Sequence, residues 1–119
     1  MSSRGLSVSV HSAIEVIAAP AVMAAPFLLG FGTAPMVICV IIGAVLLGLA
    51  LQVESPQRTV PLSAHAGFDY TLAFVAALGG VAVGIATSEW NSAVFLVGVG
   101  AAMALLTAST RFSMARSAH

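Results

Sequence analysis

Four stretches of the chain, at 12–31, 35–52, 66–86 and 91–109, run for 18 to 21 residues with only two charged members, Glu15 and Asp69. A helix needs about 20 mostly apolar residues to cross the roughly 30 Å hydrocarbon core of a bilayer. None of the four shows the period-two alternation of a barrel strand, and backbone at bilayer depth must bond within its own segment, so each is predicted to be a helix. The fold class that follows is all-α: a polytopic membrane protein with four transmembrane helices. The breaks differ in kind. Gly32-Thr33-Ala34 and Thr87-Ser88-Glu89-Trp90 read as tight turns, whereas the stretch from Val53 to Ala64 is longer, polar, and carries Pro56 and Pro61. Two helical hairpins result, at 12–52 and 66–109. The terminal segment 1–11, the loop 53–65 and the tail 110–119 then share one side of the membrane.

The two halves are related. At an offset of 54 residues, Ser9-Val10-His11-Ser12-Ala13-Ile14-Glu15 aligns with Ser63-Ala64-His65-Ala66-Gly67-Phe68-Asp69, and both read Ser-x-His-x-x-apolar-acid. The offset holds for Gly30 with Gly84 and Thr33 with Thr87. Three further residues then pair Val37 with Val94, Gly43 with Gly100 and Leu49 with Leu106. Each half is a hairpin unit starting on the same side, so the repeats are parallel and related by an axis along the membrane normal.

Composition narrows the function classes. Apolar residues make up 60% of the chain and charged residues 7%, against about 25% charged in a soluble domain, which excludes a water-soluble globule. Four Arg and four acids, with no Lys, cancel to zero net charge and leave no basic surface for a nucleic acid. Cys39 is the single cysteine, so neither an intrachain disulfide nor a cysteine metal cluster can form. Arg4, Arg58, Arg111 and Arg116 all fall on the side of the termini and central loop, with Glu89 opposite. The positive-inside rule places that arginine-bearing side in the cytoplasm. The apolar stretch after Arg4 reads as a retained first span and not a cleaved signal, because Glu15, Pro20 and Pro26 interrupt it and its removal would destroy the repeat.

Ala25-Pro26-Phe27-Leu28-Leu29-Gly30-Phe31 resembles the Ser-Pro-Trp signature of the SPW-repeat membrane proteins, small bacterial chains built from two-helix units. The proline and the Gly-aromatic pair are kept, while Ala stands for Ser and Phe for Trp. In the second unit Gly79-Gly80-Val81 takes the corresponding place, and His65-Ala66-Gly67-Phe68-Asp69 and Trp90-Asn91 are similar to family segments. This resemblance, covering about 11–111, implies a four-helix protein of the bacterial inner (plasma) membrane with no assigned function and no catalytic residue to carry over. A second resemblance is to the small multidrug resistance transporters, which share this length and helix number. Glu15-Val16-Ile17 is similar to the segment around their membrane-embedded glutamate. The third span departs from that family, lacking its Trp-x-Gly element between Ala66 and Ala86.

His11 with Glu15, and His65 with Asp69, are each spaced i,i+4 and share a helix face at the cytoplasmic entrance of the first and third spans. Ionisable groups in a membrane are costly unless paired or hydrated, which makes these four the candidate site. If the repeat axis brings the two helices together, two imidazoles and two carboxylates converge. Three uses are open: a structural lock between hairpins, proton or substrate coupling through Glu15, and metal or haem binding through His11 and His65 with Glu15 and Asp69. The structural use is favoured, since headgroups and water reach the first helical turns and Ser12-x-x-Glu15 has the form of a capping box. No cofactor is expected. His119 reads as solvated.

The remaining features read as packing. Pro20 and Pro26 interrupt the first span, with Pro26 assigned to packing. Gly80-x-x-x-Gly84, Ala44-x-x-x-Gly48 and Gly100-x-x-x-Ala104 are small-residue pairs that let helices approach, within one chain or between copies. Trp90 fits an interfacial anchor. Tyr70 either bonds the neighbouring Asp69 or marks the interface. No nucleophile–base constellation or phosphate loop is present, so no enzyme is expected. The expectation is a non-catalytic module in the lipid bilayer, acting as a homo-oligomer or as a subunit of a larger membrane complex, with a proton-coupled transporter as the alternative.

Overall fold

In a computed structural model of the chain, residues 5–53 and 62–110 are described. They form α1 (Val8–Leu29), α2 (Thr33–Val53), α3 (Leu62–Thr87) and α4 (Trp90–Ala108), with no strand among the described residues. At 1.5 Å per residue, helices of 22, 21, 26 and 19 residues extend about 33, 31, 39 and 28 Å. Each is long and apolar enough to cross a membrane. Arg4, Pro56, Arg58, Pro61, Arg111, Arg116 and His119 lie outside the described residues.

Local chemistry sets the helix ends. The Ser7 hydroxyl, on an extended backbone, accepts the Val10 N–H at 3.2 Å and supplies a partner for one of the unpaired donors of the first turn of α1. At the other end Gly30 turns left-handed, with φ 70°, and its N–H and that of Phe31 both return to the Pro26 carbonyl. Glycine takes this conformation without steric cost. Between these ends α1 runs on through Pro20 and Pro26. Hydroxyls inside the spans bond to the helix backbone: Thr71 donates to the Gly67 carbonyl and Thr87 to that of Val83.

Helices α1 and α3 begin at Val8 and Leu62, four residues before the starts expected from hydropathy at 12 and 66. Hydropathy treats His11 and His65 as groups that seek water, but here both are buried inside the bundle, so the helices continue past them. Ser12 is therefore not a cap. Its hydroxyl donates to the Ser9 carbonyl within the helix, and Glu15 turns toward the imidazoles, so the capping box does not form.

Packing is densest within each hairpin, α1 on α2 and α3 on α4, with α2 against α3 as the main contact between hairpins. Glycines make the close approaches. A Cβ at Gly43 would lie 2.9 Å from the Ala19 carbonyl oxygen, and one at Gly100 would lie 2.6 Å from that of Ala73. These two contacts correspond position for position at the offsets of 54 and 57 found in the sequence. Gly80 lies against the Ala93 carbonyl and Gly84 beneath the Trp90 ring, so the Gly80/Gly84 seam joins α3 to α4 within the chain. Ala44 is exposed and Gly48 has open space around it, so on α2 the seam residue is Gly43 and not the Ala44/Gly48 pair.

Ala19, Cys39, Ile42, Leu46, Ala76, Leu96 and Met103 are buried together, and Phe31 meets Phe95 edge to face. Outward, Ile17 and Leu28 are 75% and 82% exposed, while His11 and Asp69 are 0% exposed. Polar groups inside and large apolar groups outside are the arrangement that a hydrocarbon solvent favours. Gly100→Val is expected to destabilise the protein by about 1–3 kcal/mol through overpacking against Ala73, whereas Gly48→Ala leaves stability level or slightly higher. Unfolding midpoints in detergent check both, and equal effects would contradict the seam.

Candidate functional site: a buried His–acid cluster between the hairpins

One helical turn separates His11 from Glu15 on α1 and His65 from Asp69 on α3, so each imidazole and carboxylate share a face. Those faces meet at the end of the bundle where α4 finishes. His11 Nε2 lies 2.8 Å from Asp69 Oδ2 and 3.0 Å from Glu15 Oε2. His65 Nε2 lies 3.1 Å from Asp69 Oδ2 and 3.4 Å from Glu15 Oε1. Each imidazole thus faces one carboxylate from its own helix and one from the other hairpin. The two rings pack edge to face with centroids 5.6 Å apart. The convergence expected of His11, Glu15, His65 and Asp69 is what the structure shows.

Solvation is where the sequence expectation is corrected. All four side chains are buried, Glu15 at 3% exposed being the least covered, so neither water nor headgroups hydrate them. The apolar neighbours one turn deeper, Ala19 and Ala73, are small enough to let the helices close over the charges. Removing a carboxylate from water costs several kcal/mol even after relaxation, and that cost is offset only when opposite charge and hydrogen bonds replace the water.

A fifth residue joins the network. The Thr110 hydroxyl lies 2.7 Å from the Leu106 carbonyl and 2.8 Å from His11 Nδ1. The His11 nitrogen that faces the two carboxylates is Nε2. A lone pair on Nε2 would repel both carboxylate oxygens, so a proton or another cation lies between them. Glu15 Oε1, Asp69 Oδ1 and Thr107 Oγ1 are buried with no hydrogen-bond partner among the described residues.

At the other end of the bundle, the Glu89 carboxylate accepts the Gly32 N–H at 3.0 and 3.2 Å, tying the turn of one hairpin to that of the other. Between the two ends an apolar cleft of about 330 Å³ runs between α1, α2 and α4, with Glu15 and Phe95 among its lining residues.

The other singled-out residues divide. Pro26 and Gly80 are packed inside, Gly84 lies under Trp90, and Trp90 keeps much of its ring exposed. Tyr70 is exposed and no hydrogen bond is described between it and Asp69, which leaves the interfacial reading. Cys39 is a buried free thiol in the core. The haem alternative meets a steric obstacle, because the imidazoles abut each other and both carboxylates stand at their nitrogens, leaving no slot for a macrocycle. Sequence reasoning missed Thr110 and the bond from Gly32 to Glu89. Thr107 and Thr110, two hydroxyls three apart near the C-terminal end of α4, are the trace that the first leaves in the sequence.

No protein-family model matches the chain, and no curated protein or solved structure matches it either. The likeness to SPW-repeat chains thus rests on the segments quoted from the sequence.

Proposed function

We propose that this chain is a non-catalytic module of the bacterial inner membrane, made of two copies of one hairpin unit that buried charge clasps together. One observation carries the reading. All three acidic side chains among the described residues, Glu15, Asp69 and Glu89, reach from one hairpin to the other. Charge that is committed to holding the fold is not free to act on a substrate. The recurrence of the Gly43 and Gly100 contacts at the repeat offsets supports two copies of one unit. The SPW-repeat resemblance supports the bacterial membrane, and the four arginines support cytoplasmic termini. In this reading the module works by assembly, with itself or within a larger membrane complex.

The cleft beside Glu15 favours a second reading, a carrier that exchanges protons for lipophilic cations at that carboxylate. An apolar wall with one aromatic ring and one acid suits such a cargo. Against it, both Glu15 oxygens already face imidazole nitrogens, at 3.0 and 3.4 Å, so a lipophilic cation, which cannot ligate the imidazoles, would have to displace them to bind.

In a Cys39→Ala background, cysteines placed at Thr33 and Ser88 are expected to react with an impermeant reagent from the periplasm and one at Gln57 to be protected, the reverse pattern contradicting the orientation. Proteoliposomes loaded with a pH-sensitive dye separate the two functional readings. No proton flux is expected on adding lipophilic cations. Flux that Glu15→Gln abolishes would replace the module with the carrier.

A further inference from the structure

We infer that the clasp is a binding site for one divalent transition-metal cation of the zinc class, held by His11 Nε2, His65 Nε2 and one oxygen each from Glu15 and Asp69. The inference rests on the reading of these four residues as the inter-hairpin clasp and names the ligand of that same site. One donor atom from each residue lies within 4.8 Å of all the others. The separations of Asp69 Oδ2 from the two Nε2 atoms, 2.8 and 3.1 Å, and of Glu15 Oε2 from His11 Nε2, 3.0 Å, are close to the edge of a tetrahedron with zinc bond lengths, about 3.3 Å. Two donors come from each hairpin, so a bound ion would complete a chelate across the interface.

Three further features point to a cation. Thr110 Oγ1 lies 2.8 Å from His11 Nδ1 while Nε2 faces the carboxylates, so it occupies the place of the outer partner that metal-bound histidines characteristically have. Asp69 Oδ1 is buried without a hydrogen-bond partner among the described residues, and Glu15 Oε1 has only the ion-pair approach of His65 Nε2 at 3.4 Å, so the two carboxylates are short of positive partners. Charge also balances: two neutral imidazoles, two carboxylates and one divalent ion sum to zero, as do two imidazolium ions and two carboxylates. Exchange of two protons for the ion therefore adds no net charge to a buried site. The donor set selects the metal. Two imidazoles exclude magnesium and calcium, which take oxygen ligands, and four protein donors in a closed apolar setting match a structural tetrahedral site.

The test uses the full chain in detergent, purified through a histidine-free tag and stripped with a chelator. Zinc affinity is read by competition with a chromophoric chelator and site geometry by the visible spectrum of added cobalt(II). One equivalent of zinc per chain and the intense bands of tetrahedral cobalt(II) are expected, with a higher unfolding midpoint on metal addition. Loss of both signals is expected in the double variant His11→Asn with His65→Asn. Thr110→Val leaves all four donors in place and is expected to weaken zinc binding about 10–100-fold, which keeps the inference falsifiable should the double variant not fold. Failure of the folded wild-type chain to bind zinc, or equal binding by wild type, Thr110→Val and the double variant, overturns the site. The clasp fails separately, if the metal-free chain is no less stable after Glu15→Gln with Asp69→Asn.

Discussion

Charge withdrawn from water is the constraint on which this structure depends. Four ionisable side chains sit inside a bundle whose exterior is hydrocarbon-like, and each is tolerable only next to the others. Each hairpin holds a pair of its own, His11 with Glu15 and His65 with Asp69, and the contacts of His11 with Asp69 and of His65 with Glu15 join the two pairs across the hairpins. The docking of one hairpin on the other is thereby specified by electrostatics. Within each hairpin it is specified by shape, through glycines that admit a neighbouring carbonyl. Glu89 on the Gly32 amide pins the opposite end, and an apolar cleft between α1, α2 and α4 lies between the two ties.

The two halves contribute matching pairs, a histidine and an acid spaced i,i+4, yet the cluster is not symmetric. Asp69 Oδ2 receives both imidazoles, whereas Glu15 divides its oxygens between them. Thr110 lies 2.8 Å from His11 Nδ1, and the residue at the corresponding place in the first half, at the offset of 57, is Val53. The shorter acid carries the shared oxygen.

Much of this was legible in the residues. Uninterrupted apolar length gives the four helices, and the paired Ser-x-His-x-x-apolar-acid strings give the four members of the site, because i,i+4 spacing and an internal repeat are both properties of sequence alone. Depth was not legible. A histidine near the start of an apolar run looks solvated until a partner from another helix is known, so the helix starts fell four residues late and Ser12 resembled a cap. Thr110 escaped because nothing local to α4 marks a threonine as the partner of a histidine 99 residues away. The same holds for glycines: Gly48 and Gly43 are alike in composition, and only the neighbouring helix distinguishes the packed one.

A double-mutant cycle on His11 and Asp69, measured as unfolding free energy of the chelator-treated protein in detergent, tests the clasp most directly. His11→Ala, Asp69→Ala and the double variant are compared with wild type. A coupling energy of about 2–3 kcal/mol is expected, since either single change leaves the other group buried and uncompensated. Effects that add to within about 0.5 kcal/mol would show that the two groups do not hold each other, and would contradict the account.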